Sequence, residues 1–370
     1  MIRILHVLTS PRAEGTPRLV LDWLATGIGE QGVLILTPEP AELTAQFQRA
    51  SAWVRFGLPF RRAPAKYWQI AALTRDSVRE FRPDLVVAWP AGWSHWIHLG
   101  SFLGGQSRRL THAGTAPGVG IYHRYVHTWL CFGLARLCGH HVVACSRYVQ
   151  SAYTAIPFLS AEHIRFVHNC CNVARFLRPS EAPPRVSSRV CMVGSLEKSK
   201  DYGNLLRAWK VVEAAGPYEL WIAGGGSKRA EFETLAGQLG LKRVRFLGAI
   251  EDVPSLLWSS TVFAFSANIE EGFGTVLIEA LAAGCAVVAT DVPACREVLE
   301  GGKYGRLVAA KDPGALGAAV IAALQCPLPA VESAQGVAYA QGFTAERMIE
   351  SYLGIARGGN AVLAGPIPAR

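Results

Sequence analysis

Short apolar runs alternate with amphipathic stretches along most of the chain. Residues 2–9, 33–37, 85–89 and 142–146 are rich in Val, Ile, Leu and Ala, and each reads as a buried strand. Between the first two, Leu19, Leu21, Trp23, Leu24 and Ile28 recur at helical spacing from Arg18 to about Glu30, with Pro17 suited to the first helical position. The alternation resumes after residue 185. Strands are predicted over 189–193, 218–223, 244–247, 261–265 and 286–290, and helices over 204–214, 228–239 and 275–283. The proline cluster from Arg178 to Pro184 separates the two series and reads as a linker. Strand–helix alternation on both sides predicts an α/β protein of two doubly wound, Rossmann-like domains facing a central cleft. Residues 1–175 would form the first and 176–342 the second.

One stretch has the pattern of a ligand loop. Glu270-Glu271-Gly272-Phe273-Gly274 lies between a predicted strand and the helix beginning at Thr275, and the next strand follows Gly284. A βαβ unit of this kind is right-handed with parallel strands, which puts the glycine loop at the carboxyl edge of the sheet. Free amides near Gly274, Thr275 and Val276 can hold an anion such as a phosphate. Glu271 and Glu279 flank that position, and either carboxylate can accept hydrogen bonds from sugar or ribose hydroxyls. Spacing alone leaves blander roles open, since Glu279 early in a helix also suits the helix dipole and Glu271 fits a solvated loop.

Composition narrows the setting. The chain has 370 residues, and half of them are hydrophobic, enough for two ordinary cores. The nine cysteines form no Cys-x-x-Cys pair. Cys131, Cys138 and Cys145 recur every seven residues among apolar neighbours and read as small core residues, which fits a reducing cytoplasm. No signal peptide or membrane-spanning segment is expected.

Charge is shared unequally. Residues 1–175 hold 18 Lys and Arg against nine Asp and Glu, which accounts for the whole net charge of +9, and they hold all ten histidines. An acidic partner is therefore expected on the first half. Residues 47–68 mix Phe47, Trp53, Phe56, Phe60, Tyr67 and Trp68 with Arg49, Arg55, Arg61, Arg62 and Lys66 and contain no acid. That mixture suits peripheral contact with an anionic membrane. No nucleic-acid-binding signature is present. Among the histidines, His112 stands at a predicted strand end before the small-residue loop Ala113–Gly118, a better setting for chemistry than those of His123, His127, His140 and His141.

In order along the chain, these features resemble the retaining nucleotide-sugar glycosyltransferases of the GT-B fold, group 1 type. Glu271-Gly272-Phe273-Gly274 with Glu279-Ala280 resembles the family's Glu-x7-Glu signature. Val193-Gly194-Ser195-Leu196 with Lys200-Asp201 is similar to its glycine-arginine-leucine and lysine motif, and residues 222–227 and 246–248 resemble its next two loops. Asn169-Cys170 resembles its hinge, and residues from Phe343 onward (343–370) resemble a C-terminal helix crossing back to the first domain, with its tail.

The resemblance implies roles. Glu271 would hold donor-sugar hydroxyls with Gly272 and Phe273 beside it, and Glu279 would hold the donor ribose. Amides at Gly274 and Thr275, with Lys200, would neutralise the diphosphate, and Ser195 would stand near it. Gly15 would let the first domain's loop approach, Ile250 would face the base, and His112 would sit beside the sugar. Three departures stand out: Ser195 occupies the family's usual arginine position, where Lys198 or Arg18 could substitute; Cys170 occupies that of the hinge glycine; and the first loop, Ala13-Glu14-Gly15-Thr16, lacks the common double glycine. The implied activity is metal- and cofactor-independent, retaining transfer from a UDP-sugar, with GDP-mannose second, to a lipid-linked or surface-polysaccharide acceptor. It would occur in the cytoplasm, peripherally on the inner face of the cell membrane. Alternatives are a sugar-nucleotide epimerase on the same fold and a non-catalytic nucleotide-sugar-binding protein. A dinucleotide oxidoreductase fits worst, because Gly224-Gly225-Gly226 is not a Gly-x-Gly-x-x-Gly loop.

Overall fold

The structure, a computed structural model, describes residues 1–38, 41–106, 108–118, 126–133, 140–157 and 159–358. Cys138 and His123, singled out above, and the tail beyond residue 358 lie outside the described residues. The chain divides into two compact units. The first holds residues 1–170 and resumes at Thr344, and the second runs from Cys171 to Phe343. The division falls between Cys170 and Cys171, and the proline cluster lies within the second unit.

The first unit is built on seven parallel strands: β1 (Arg3–Leu8), β2 (Glu30–Ile35), β3 (Trp53–Phe56), β4 (Leu85–Ala88), β5 (Arg109–Ala113), β6 (His141–Ala144) and β7 (Ile164–Phe166). Their order in the sheet is β3-β2-β1-β4-β5-β6-β7. Strand alternation sorts the core into two faces. Ile4, Val33, Ile35, Leu85, Val87 and Leu110 pack with Trp23 of helix Gly15–Ala25 and with Met348 and Tyr352 of helix Ala345–Ala356. Leu5, Val7, Leu34, Val86 and Ala88 pack with Ile70, Phe81 and Ile97 from helices Ala65–Phe81 and Ser94–Leu103. Both faces are covered, which is why these strands read as continuous apolar runs.

Several expected boundaries shift. The first helix starts at Gly15, so Pro17 is its third residue; a proline there still forfeits no intrahelical bond. Strand β2 starts three residues early, at Glu30, because Gly27 and Gly29, both at positive φ, end the helix and turn the chain. Strand β3 was hidden within the aromatic and basic stretch 47–68, whose composition pointed to a surface.

A buried polar chain crosses the first unit. Trp89 donates its indole N–H to Nδ1 of His6 at 3.1 Å, and Nε2 of His6 lies 2.9 Å from Oε1 of Gln31. The Gln31 amide in turn donates to the carbonyls of Trp23 and Ile28. Every group is satisfied only when His6 is neutral with its proton on Nε2, and burial lowers its pKa to about 4.

The second unit has six parallel strands: β8 (Val186–Val193), β9 (Glu219–Ala223), β10 (Val244–Gly248), β11 (Ser260–Phe265), β12 (Ala286–Thr290) and β13 (Arg306–Val308). Their order is β10-β9-β8-β11-β12-β13. The order reverses between β8 and β11, so the loops leaving these two strands frame the crevice where doubly wound sheets take ligands. Three helices of this unit start on carboxylate caps. Asp201 accepts from the Asn204 amide, Asp252 from that of Ser255 and Asp312 from that of Ala315.

Candidate active site

The loops at the carboxyl edge of the second sheet are laced together. Leu196 donates its amide to the Gly225 carbonyl at 2.8 Å, and Glu197 accepts from both the amide and the hydroxyl of Ser227. This interlock needs glycine at 224 and 226. A Cβ at Gly224 would lie 2.0 Å from the Gly194 carbonyl oxygen, and one at Gly226 would lie 2.5 Å from that of Leu196. The loop after β11 is tied to the loop after β8 in the same way. Asp201 donates its amide to the Ser266 carbonyl, Asn268 to that of Ser199, and Lys200 and Ala267 form an antiparallel bridge. The Thr290 hydroxyl bonds both the amide and the carbonyl of Ala267.

On this platform the ammonium of Lys200 meets the carboxylate of Glu271, with side chains only 13% and 10% exposed. The same ammonium lies 5.0 Å from the centre of the Phe265 ring. Outside this pair, Lys198 reaches Glu270 at 2.8 Å and is largely exposed. Beyond Glu271 the chain passes the buried Gly272 and Phe273. Gly274 takes a left-handed conformation (φ 80°) and opens helix Thr275–Ala282, whose start no side chain caps. Its first amides therefore point outward at a site where an anion is favoured. Glu279 stands one turn along, on the face of Thr275, and is half-buried. Ser195 follows β8, and Ile250 follows β10; both are half-buried. The fold thus gathers Ser195, Lys200, Ile250, Glu271, Gly272, Phe273, Gly274, Thr275 and Glu279 along one sheet edge.

Gly15 and His112 belong to the first unit. Gly15 is exposed, opens helix Gly15–Ala25 and has nothing within 4 Å of the place a Cβ would take. The loop needs no glycine for its own conformation there. Arg18, on the same helix, forms no ion pair among the described residues. His112 is the penultimate residue of β5 and is 1% exposed. Its Nδ1 lies 2.8 Å from the Tyr352 hydroxyl, and its ring packs 4.8 Å from that of Trp89. Burial lowers its pKa to about 3, so the imidazole is neutral at any physiological pH. Tyr352 carried no signal in the sequence beyond its place on a C-terminal helix; only the folded chain brings it to His112.

Cys131 and Cys145 are buried and form no disulfide, as a core role requires. The stretch 47–68 divides. Phe47 is a core residue, Trp53 donates to Glu80, and Arg55 pairs with Glu80 at 3.2 Å, so part of it is structural rather than a surface. Leu58, Arg61, Arg62 and Trp68 stay exposed, with Trp68 60% accessible. Among the described residues no single helix is long and apolar enough to cross a membrane. No group of three or more His, Cys, Asp or Glu among them is arranged to hold a metal ion.

Two parallel α/β sheets, with the loops after β8 and β11 framing a helix start that suits an anion, define a doubly wound α/β class of protein. Over 97% of its length the chain superposes on all of HepE from Anabaena, seen in complex with UDP-glucose, with a TM-score of 0.82 at 18% identity. The fold is therefore GT-B. Residues 187–326 match the family described as Glycosyl transferases group 1. The phosphatidyl-myo-inositol mannosyltransferase of Mycolicibacterium smegmatis is 37% identical over 171 residues, 43% of this chain and 42% of that enzyme. The lipopolysaccharide core biosynthesis glycosyltransferase LpsD of Rhizobium meliloti is 25% identical over 62% of each chain. The chain thus spans less than two thirds of the length of these curated relatives.

Proposed function

We propose that the protein is a retaining glycosyltransferase that moves a sugar from a nucleoside-diphosphate sugar to a lipid-linked or glycan acceptor. The observation that carries this reading is the Lys200–Glu271 pair at the β8/β11 switch point, beside the uncapped start of helix Thr275–Ala282. Glu271 would hold sugar hydroxyls, and Glu279 the ribose. Ser195 offers a hydroxyl where an arginine would add charge, so Lys200 and the helix amides carry the diphosphate. In the reaction the bond between the anomeric carbon and the phosphate oxygen breaks, and its electron pair leaves on the diphosphate. The amides of Gly274 and Thr275 and the Lys200 ammonium meet that charge as it forms, without a metal. The acceptor hydroxyl attacks the same face, and its proton passes to the leaving phosphate oxygen, which accounts for retention. Ile250 borders the base, and Gly15 leaves room for the phosphates.

The UDP-glucose of HepE supports a UDP-sugar donor, and the mannosyltransferase relative supports GDP-mannose as second choice. The inositol lipid and lipopolysaccharide of the relatives support an amphiphilic acceptor. Incubating the protein with UDP-sugars and GDP-mannose and with lipid-linked acceptors, followed by NMR of the new linkage, should give a product with the donor's anomeric configuration. An inverted product would overturn the retaining assignment. The loss of a cation at Ser195 favours a second reading, a non-catalytic nucleotide-sugar binder; binding without turnover across the acceptor panel would support it.

The exposed Leu58, Arg61, Arg62 and Trp68 would contact an anionic membrane at the cytoplasmic face. In vesicle sedimentation, binding to anionic over neutral lipid should fall about tenfold or more in Arg61→Glu/Arg62→Glu, given roughly 1 kcal/mol per basic residue. Equal sedimentation with neutral vesicles would contradict the contact.

A further inference from the structure

His112 and Tyr352 lie 240 positions apart and are both deeply buried, at 1% and 0% exposure. Their bond couples the end of β5 to helix Ala345–Ala356. A buried hydroxyl needs an acceptor for its hydrogen. Among the described residues the one hydrogen-bond partner recorded for the Tyr352 hydroxyl is Nδ1 of His112, at 2.8 Å. The phenol is neutral, since burial raises its pKa well above the usual value. The imidazole is neutral too, so one of its nitrogens accepts and the other carries the proton. Both groups are satisfied together when tyrosine donates to Nδ1 and the ring proton sits on Nε2.

The other ring edge has a different setting. Nε2 makes no hydrogen bond among the described residues, yet it is not one of the sealed, partnerless nitrogens, as those of His140 are. It faces Gly114, where an added Cβ would stand 3.3 Å away. Gly114 is half-buried and opens the loop after β5, at the carboxyl edge of the first sheet. Glycine at 114 keeps a side chain from crowding Nε2. Tyr352 is itself held by rings: Trp23 meets it edge-on at 4.9 Å, and Trp89 lies parallel at 6.3 Å. Trp89 also packs on His112 and is fixed through His6 and Gln31. The hydroxyl thus stands on a rigid support.

We propose that Tyr352 is a positioning residue that donates its hydrogen bond to Nδ1 of His112, holds the ring proton on Nε2 and so presents a neutral N–H donor beside Gly114 to an oxygen of the transferred sugar. The sugar contact rests on the glycosyltransferase reading above; the tautomer does not. His112 then acts as a hydrogen-bond donor and not as a proton acceptor.

The test is long-range 1H–15N NMR on 15N-histidine-labelled full-length protein, with the His112 signal assigned by its loss in His112→Gln. The wild type should show Nδ1 unprotonated and Nε2 protonated. Tyr352→Phe keeps the ring packing and removes the donor. Its His112 should lose the single tautomer, and kcat should fall about tenfold with the donor KM within about twofold, the size of one mispointed hydrogen bond. Gly114→Ala should lower kcat while leaving the tautomer unchanged. A wild-type proton on Nδ1 overturns the proposal without need of any variant, and so does an unchanged tautomer in Tyr352→Phe. A shifted tautomer with unchanged kcat would leave the tyrosine's role standing and overturn instead the placement of His112 at the sugar.

Discussion

Lys200→Met is expected to lower sugar transfer by about 10²–10³ at saturating donor, the usual effect of removing one preorganised group from a developing anion. The same change should destabilise the second unit. Lys200 and Glu271 are 13% and 10% exposed, so removing the ammonium leaves a carboxylate mostly out of water. Breaking such a pair costs on the order of 3 kcal/mol. Glu271→Gln should be milder in stability, because the amide still accepts a hydrogen bond from Lys200, but it should also slow transfer. The double variant Lys200→Met/Glu271→Leu separates the two effects. An apolar pair of similar volume should restore the unfolding free energy to within about 1 kcal/mol of the wild type and leave transfer lost. Urea unfolding beside a transfer assay reads both. Transfer within threefold of the wild type in the single variants would remove Lys200 from the site.

Acid should unfold the first unit before the second. All ten histidines are in residues 1–175, and burial lowers the pKa of His6 to about 4, of His112 to about 3 and of His140 to about 3. His98 is also held well below its usual value by burial, and His140 and Arg109 add repulsion. The rings of His98 and His140 lie 4.1 Å apart, and Nδ1 of His98 and the two nitrogens of His140 are buried with no hydrogen-bond partner among the described residues. All four bind protons in the unfolded chain below about pH 6.5; in the folded chain His6, His112 and His140 do so only near pH 3–4, and His98 only well below its usual range. Their stabilising effect is complete above pH 6.5 and is lost as pH falls toward 4. At pH 5 His6, His112 and His140 each contribute a loss of about 2 kcal/mol, and His98 adds in the same direction. The first unit's melting temperature should drop on the order of 15 °C between pH 7.5 and pH 5. Hydrogen exchange read peptide by peptide, after correction for intrinsic rates, should show the loss in β1, β4 and β5 while β8, β11 and β12 stay protected. Equal loss in both units would show that the histidines do not set acid stability.

The fold was legible wherever strands are buried on both faces. Residues 85–88, 261–265 and 286–290 are apolar but for a terminal threonine, Thr261 or Thr290, and can be read directly as strands. Trp53–Phe56 was not, because an arginine paired with Glu80 and a tryptophan donating to it resemble surface residues until the partner is placed. The phosphate-ready turn at Gly274 and the carboxylates Glu271 and Glu279 were readable, since glycine, acid and helix start are local features. The Lys200–Glu271 contact was not, because spacing cannot reveal which loops share a switch point. Tyr352 was illegible for the same reason: its partner is 240 residues away.

The central claim is that the second unit's carboxyl edge binds a nucleoside diphosphate through Lys200 and the amides of helix Thr275–Ala282. Titration calorimetry with UDP and GDP tests it most directly. The wild type should bind at least one of them, Lys200→Met/Glu271→Leu should bind it at least tenfold more weakly, and Gly274→Val, which strains the turn at φ 80°, should weaken it as well. Binding of UDP or GDP with unchanged affinity in both variants, or no binding of either by the wild type, would contradict it.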